Sequence, residues 1–206
     1  MSSTQLARVS LGAATIALSA FAWLAQPKSA LSAPNEETRP GSAAPADKLA
    51  RGKYLVTIAG CNDCHTPLKM GPAGPEPDMS RMLSGHPEGM QLPPAPAPAP
   101  GPWLVTVAAT NTAWSGPWGV SYTANLTPDA ETGLGKWTLR DFMATLRTGR
   151  HMGRGRLILP PMPIPMYKHF TDSDMDAIFT YLRSIPPVQN RVPEPLPPVA
   201  TTASTQ

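Results

Sequence analysis

The sequence has 206 residues, of which 27 are proline and 16 are glycine, and only 15% of its residues are charged. Coiled coils and helical repeat proteins are proline-poor and rich in charge, so this composition excludes both classes. A wholly disordered chain is also excluded, because 41% of the residues are hydrophobic and the net charge is only +3. We expect a small core surrounded by irregular, proline-rich loops.

The N-terminus has the order of a secretory signal peptide. Arg8 precedes an apolar run over 11–25, and small residues follow over 29–33. The run is shorter than the ~20 apolar residues that a transmembrane helix requires. We therefore predict a signal peptide over 1–33 and a periplasmic protein, with an uncleaved membrane anchor as the alternative. Cleavage would remove two basic residues and no acidic one, which leaves a net charge of +1 and no reason to expect nucleic acid.

A linker and a first helix follow the signal segment. Residues 34–45 lack apolar periodicity and are rich in Pro, Ala and Glu, which predicts a flexible linker. From about Pro45 to Ala59 apolar residues recur with helical spacing, and a proline suits the first helical position. We predict a helix that leads directly into the two cysteines of the chain.

The cysteines form the sequence Cys61-Asn62-Asp63-Cys64-His65, the attachment signature of c-type haem. A spacing of three places both sulfurs on one side of a helical turn, where they suit capture of the two haem vinyl groups. The adjacent imidazole of His65 then reaches the iron. We predict one covalently bound haem c.

Other uses of a Cys-x-x-Cys pair fit less well. A thioredoxin-like thiol oxidoreductase has a strand before the motif, whereas a helix is predicted here. A structural zinc site requires four ligands, commonly in two spaced pairs, and the chain has no second cysteine pair. An exported protein with two cysteines would normally suggest a disulfide, and a thiol oxidoreductase without haem would be colourless.

The segment over 66–135 is predicted to be a long irregular insertion. Residues 93–102 alternate proline and alanine and suit a polyproline spacer. The stretches 103–108 and 120–123 have strand composition, and the turn-rich residues 114–119 between them predict a short β-hairpin. Three of the five tryptophans lie here, either as a small core of the insertion or as a cover for the haem edge.

A second helix is predicted to begin at Thr138, which forms a capping box with Asp141, and to end at Gly149. Between Lys136 and Lys168 the chain has seven basic residues and one acid. Such a run is usually a solvated face, but around a cofactor it could instead steer an acidic partner.

The residue that occupies the sixth coordination position of the iron, or the absence of one, decides whether the haem carries electrons or binds small molecules. Met162 lies in the sequence Leu-Pro-Pro-Met-Pro-Ile-Pro-Met, whose four prolines restrict the backbone of the loop. Such a loop loses little conformational entropy when it holds the methionine thioether against the haem. We predict Met162 as the ligand. Its neighbour Met166, one of the histidines at positions 86, 151 and 169, and a vacant site are the alternatives.

The last predicted helix begins at Thr171 with a second capping box to Asp174 and ends before Pro186-Pro187. Its apolar residues recur at i, i+3, i+4 and i+7. Residues 188–206 lack such a pattern and are predicted to be a disordered tail. The folded domain is thus expected over 46–187.

This order of helix, CxxCH, long loop, helix, methionine loop and helix resembles the class I c-type cytochromes. Three short segments resemble the cytochrome subunits of periplasmic or membrane-bound dehydrogenases in particular. They are RGKYL before the motif, NLTPD followed by GLGKW, and YLRSIPP at the end of the last helix. The resemblance implies a mainly α fold with Cys61 and Cys64 covalently attached, His65 proximal and Met162 distal. It also implies that the first and last helices pack crosswise, with Gly52 and Tyr54 near Tyr181.

The expected function is single-electron transfer rather than catalysis. The expected partners are a dehydrogenase as donor and a terminal oxidase or another cytochrome as acceptor, and membrane association is expected only through an uncleaved signal segment. The rival hypothesis is a haem enzyme or gas-binding sensor whose sixth site is open or weakly held. Dehydrogenase subunits of this kind often carry two or three haems, whereas this chain has a single motif.

Overall fold

The computed structural model describes residues 45–95 and 103–198. Within them none of the helices is both long and apolar enough to cross a membrane. The predicted signal peptide, nearly all of the linker, most of the polyproline spacer and the end of the tail lie outside the described residues.

The described residues form five helices and five strands. The helices are α1 (Pro45–Ile58), α2 (Cys61–His65), α3 (Leu139–Thr148), α4 (Ile164–Tyr167) and α5 (Asp172–Ser184). The strands are β1 (Leu68–Gly71), β2 (Gly74–Pro77), β3 (Thr106–Val107), β4 (Ala113–Gly116) and β5 (Gly119–Tyr122).

The three long helices lie where the sequence predicts them, because their ends are fixed by local chemistry. At the start of α3, the Thr138 hydroxyl accepts from the Asp141 amide while the Asp141 carboxylate accepts from the Thr138 amide, which completes a capping box. Gly149 ends the helix in the left-handed conformation with φ +67°. At the start of α5, the Thr171 hydroxyl accepts from the Asp174 amide, but the Asp174 carboxylate binds Arg51, so only half of the predicted second capping box forms.

Helices α1 and α5 pack directly against each other through Gly52. A Cβ atom on this residue would lie 2.0 Å from the carbonyl oxygen of Ala177 and 2.8 Å from the Cβ of Tyr181, so only glycine allows the helices to come this close. The approach of Gly52 to Tyr181 that the family resemblance implied is therefore confirmed. Two ion pairs, Lys48 with Asp176 and Arg51 with Asp174, join the same two helices.

The hydrophobic core combines residues of the three long helices with Leu83, Leu134 and, just after α5, Ile185. Leu83 and Leu134 belong to the insertion, and both are almost completely buried. The helical members are Leu55, Val56, Phe142, Leu146, Met175, Ala177, Ile178 and Leu182. The insertion is thus part of the core and does not form a separate unit.

The insertion contains more β structure than predicted, and the mainly α fold is therefore corrected to a mixed one. Strands β1 and β2 form an antiparallel hairpin that was not predicted from the sequence, and β3, β4 and β5 form a three-stranded antiparallel sheet. Residues 113–116, most of which were predicted as turn, are the central strand. The turn consists of Pro117 and Trp118, because Gly116 and Gly119 are the last pair of the ladder, and the positive φ of Gly119 (+95°) begins β5.

Residues 188–198, which we call the C-terminal strap, differ from the prediction of a disordered tail. The Val188 amide donates to the Thr127 hydroxyl, and the Val188 carbonyl accepts from the side-chain amide of Asn125. Farther along, Leu196 and Val120 exchange two backbone hydrogen bonds of 2.9 Å. These polar contacts with the insertion order the strap although it has no apolar periodicity.

Candidate haem site

Helix α2 carries the cysteine motif at the wall of a large cavity. Gly60 precedes the helix in the left-handed conformation with φ +70°, which turns the chain from α1 into α2. Residues three apart lie on one face of a helix, so Cys61 and Cys64 face the same way. Both cysteines and His65 line a cavity of about 480 Å³.

The two cysteines are not joined by a disulfide, and both lie where burial favours the protonated thiol. Burial raises the pKa of the Cys61 thiol to about 11, and burial likewise raises the pKa of Cys64. Thiol–disulfide exchange enzymes instead lower the pKa of their attacking cysteine so that the thiolate forms near neutral pH. The environment of this pair is therefore the opposite of the one that a thiol oxidoreductase requires.

The ring of His65 is oriented by the insertion. Its Nδ1 lies 2.7 Å from the carbonyl oxygen of Ala124. A carbonyl can only accept, so Nδ1 carries the proton and Nε2 keeps its lone pair. Burial lowers the pKa of His65, which keeps the ring neutral at physiological pH. A buried, neutral imidazole with one nitrogen held by a carbonyl is suited to ligate a metal through the other.

Among the candidates for a sixth ligand, Met162 and His151 line the cavity. Met166 does not, and 71% of it is exposed to solvent. His86 and His169 also lie outside the cavity lining. The structure thus brings together the four residues predicted to bind the haem and separates them from the nearest alternative methionine.

The loop that carries Met162 is attached to the rest of the domain at both ends. On one side the Ser121 hydroxyl donates to the Pro160 carbonyl at 2.6 Å. On the other, the Tyr167 hydroxyl donates to the carbonyl of Ala59, just before the cysteine motif. Tyr167 also lines the cavity, and burial raises its pKa to about 12, so the hydroxyl remains a donor. These bonds hold Met162 in the wall shared with the cysteines.

The remaining lining suits a large, mostly apolar ring system with polar groups on its edge. The charged members are Glu131, Arg156, Arg191 and Glu194, of which Arg156 and Glu194 form an ion pair of 3.3 Å. The apolar members include Leu126, Leu134, Phe142, Leu146, Ile158 and Ile164. Thiols, an imidazole nitrogen and a thioether are the donors that c-type haem uses, so the residues present fit that group.

No protein-family model matches the chain. One subunit of the nicotinate dehydrogenase of Pseudomonas putida is 37% identical over 81 residues, which is 39% of this chain and 7% of that protein. The cytochrome c subunit of the quinone-dependent alcohol dehydrogenase of Gluconobacter oxydans is 28% identical over 150 residues, 71% of this chain and 24% of the relative. The fructose dehydrogenase cytochrome subunit of Gluconobacter japonicus is 27% identical over 156 residues, 74% of this chain and 25% of the relative.

The chain resembles the cytochrome c subunits of dehydrogenases. It spans at most about a quarter of the length of these relatives. These relatives confirm the resemblance to dehydrogenase cytochrome subunits that the CxxCH motif and the three short segments indicate. The number of haems and the identity of the axial ligands remain predictions.

Several cavity residues were not predicted from the sequence. None of the three tryptophans of the insertion lines the cavity, whereas Trp137, just after the insertion, does, and its ring meets the His151 ring edge-on with 5.0 Å between the two centroids. Ala124 contributes only a carbonyl, which no sequence pattern reveals. Trp137 is the last residue of the GLGKW segment, so the family resemblance was the one feature of the sequence that could have indicated its place at the site.

Proposed function

We propose that this chain is an exported monohaem cytochrome c that carries single electrons. Cys61 and Cys64 would hold the haem covalently, and His65 and Met162 would ligate its iron. The observation that carries the proposal is that these four side chains line one cavity of about 480 Å³ although Met162 is almost a hundred residues from the motif.

Each residue has a distinct task in this arrangement. Cys61 and Cys64 would hold the haem by thioether bonds, in which the sulfur and the hydrogen of each thiol are added across one vinyl group without an oxidant. His65 supplies Nε2 because Ala124 fixes the proton on Nδ1. Haem, when bound, supplies an iron that cycles between the ferric and ferrous states. With His65 and Met162 both bound to the iron, no position would be open to oxygen or peroxide, which favours a carrier over an enzyme.

The partners follow from the relatives and from the N-terminus. The relatives are named as subunits of dehydrogenases for alcohols, fructose and gluconate. We propose that a dehydrogenase donates electrons to this chain and that a terminal oxidase or another cytochrome accepts them. The signal-like segment over 1–33 favours the periplasm for this exchange, with the protein either free or beside the membrane if the segment stays uncleaved.

A haem enzyme or gas-binding sensor is the second candidate, and the presence of His151 in the cavity lining is the observation that favours it. The ferrous spectrum of the purified protein with and without carbon monoxide separates the two. A low-spin spectrum that carbon monoxide leaves unchanged supports the carrier. Immediate binding of carbon monoxide by the wild-type protein supports the second candidate and excludes two strong axial ligands.

A further inference from the structure

The C-terminal strap forms part of the cavity wall. Five consecutive residues, 191–195, line the same cavity as the cysteine motif and Met162. Two of the five are prolines, which restrict the backbone without adding a donor. A segment that the sequence marks as a tail therefore takes part in enclosing the proposed cofactor.

The strap is anchored at its inner end by Asn190, which is 1% exposed. Its side-chain amide nitrogen donates to the carbonyls of Ser84 and His86, both at 2.8 Å. Its side-chain oxygen accepts from Arg81 at 2.6 Å and from the Glu88 amide at 2.9 Å. Two donors and two acceptor positions are the full capacity of an asparagine side chain, so every one of its polar positions is used.

The other contacts of the strap differ in strength. Leu196 is joined to Val120 by a reciprocal pair of backbone hydrogen bonds, which anchors the outer end. Glu194 pairs with Arg156, but its side chain is 86% exposed, and exposed ion pairs contribute little to stability. The Arg191 amide also donates to the Glu88 carboxylate at 3.0 Å, so the lining segment is held at its inner end by Asn190 and Arg191 and at its outer end by Leu196.

We infer that the strap is a fixed wall that limits the access of water to the haem and thereby raises its reduction potential, with Asn190 as the positioning residue. This inference rests on the proposed function. Loss of water around the iron disfavours the ferric state, which carries one more positive charge than the ferrous state. Release of the strap should therefore lower the potential without breaking the thioether bonds.

Two substitutions in the full-length holoprotein test the inference from opposite ends of the strap. Asn190→Ala removes all four side-chain hydrogen bonds, and Leu196→Pro removes the amide that donates to Val120. Gln189→Ala is the matched control, because Gln189 is a neighbour of the anchor whose side chain makes none of these bonds. Amide hydrogen exchange over 188–198 reports release of the strap, and a spectroscopic redox titration reports the potential.

The expected result is faster amide exchange in the strap and a lower potential in both variants, with wild-type values in the control and haem still attached to all three. Faster exchange with an unchanged potential would overturn the role of the strap at the haem. Unchanged exchange in Asn190→Ala would overturn its role as anchor. A wild-type protein without haem would instead overturn the proposed function, and this outcome is recognised by its lack of colour before any variant is made.

Discussion

Two methionines of the 160–166 loop have different surroundings, and this difference predicts which one binds iron. Met162 lines the cavity, whereas Met166 is exposed. Met162→Ala should keep its haem, because the cysteines and His65 are unaffected, but should become partly high-spin, bind carbon monoxide and fall in potential. Optical spectra and a redox titration measure these changes.

Met166→Ala is the control for that experiment, since the residue lies only four positions away. It should keep the wild-type spectrum and potential. If Met166→Ala became high-spin while Met162→Ala stayed low-spin, the assignment of the distal ligand would be contradicted.

At the residue scale the sequence pointed to the four cavity-lining residues that are proposed to bind the haem, but not to the groups that orient them. CxxCH is a local motif, and the proline-flanked Met162 is a local composition signal. The carbonyl of Ala124 that orients His65 lies 59 residues away and belongs to a residue with no polar side chain. Such a contact depends on the path of the insertion, which short-range patterns do not determine.

At the scale of single elements, the capping box of α3 allows a quantitative prediction. Thr138→Ala removes the acceptor for the Asp141 amide and should lower the free energy of unfolding by about 1 kcal/mol. Thr57→Ala is the control, because the Thr57 hydroxyl only donates to a carbonyl one turn earlier in α1. Denaturant unfolding measures both, and equal stabilities of the two variants would contradict the role of the cap.

The same cap should respond to pH. Hydrogen bonds from Thr138 hold the pKa of Asp141 below its ordinary value, so folding favours the carboxylate. The contribution of Asp141 is therefore complete above the unfolded pKa of about 3.9 and is lost as the pH falls through the lower folded pKa. The stability difference between wild type and Asp141→Asn should shrink over that acidic range. A difference that stays constant from neutral pH down to strongly acidic pH would contradict the prediction.

The contact between α1 and α5 predicts a cost for one added methyl group. Gly52→Ala would place a Cβ 2.0 Å from the Ala177 carbonyl, so the helices must separate, at a cost of about 1–3 kcal/mol of stability. Gly89→Ala is the control, because a Cβ there meets nothing within 4 Å. Thermal or denaturant unfolding should show the loss only in Gly52→Ala, and equal stabilities would contradict this packing.

Elements whose ends are fixed by adjacent residues were predictable, whereas those fixed by distant ones were not. Helices α3 and α5 begin at threonines that the sequence identifies as caps. The strands of the insertion have only two to four residues each, too few for their alternation to stand out. The C-terminal strap depends on Asn125 and Asn190, which bind backbone atoms far away in sequence.

At the scale of the whole molecule, charge bears on how the protein meets its partners. Four of the seven basic residues between Lys136 and Lys168 form ion pairs with carboxylates: Lys136, Arg147, Arg154 and Arg156. These pairs weaken the positive field that the run of basic residues would otherwise create. We expect oxidation by the anionic reagent hexacyanoferrate(III) to slow only modestly as salt rises, because screening acts over about 10 Å at 0.1 M. A rate that is independent of salt, or increases with it, would exclude steering by this basic segment.

The proposed function depends most on the covalent attachment of one haem to Cys61 and Cys64. Mass spectrometry of the denatured, exported protein tests this directly, because thioether bonds survive denaturation whereas a haem held only by axial ligands is lost. The predicted result is a polypeptide heavier by one haem, with both cysteines modified. A polypeptide without haem and with a Cys61–Cys64 disulfide would contradict the proposed function.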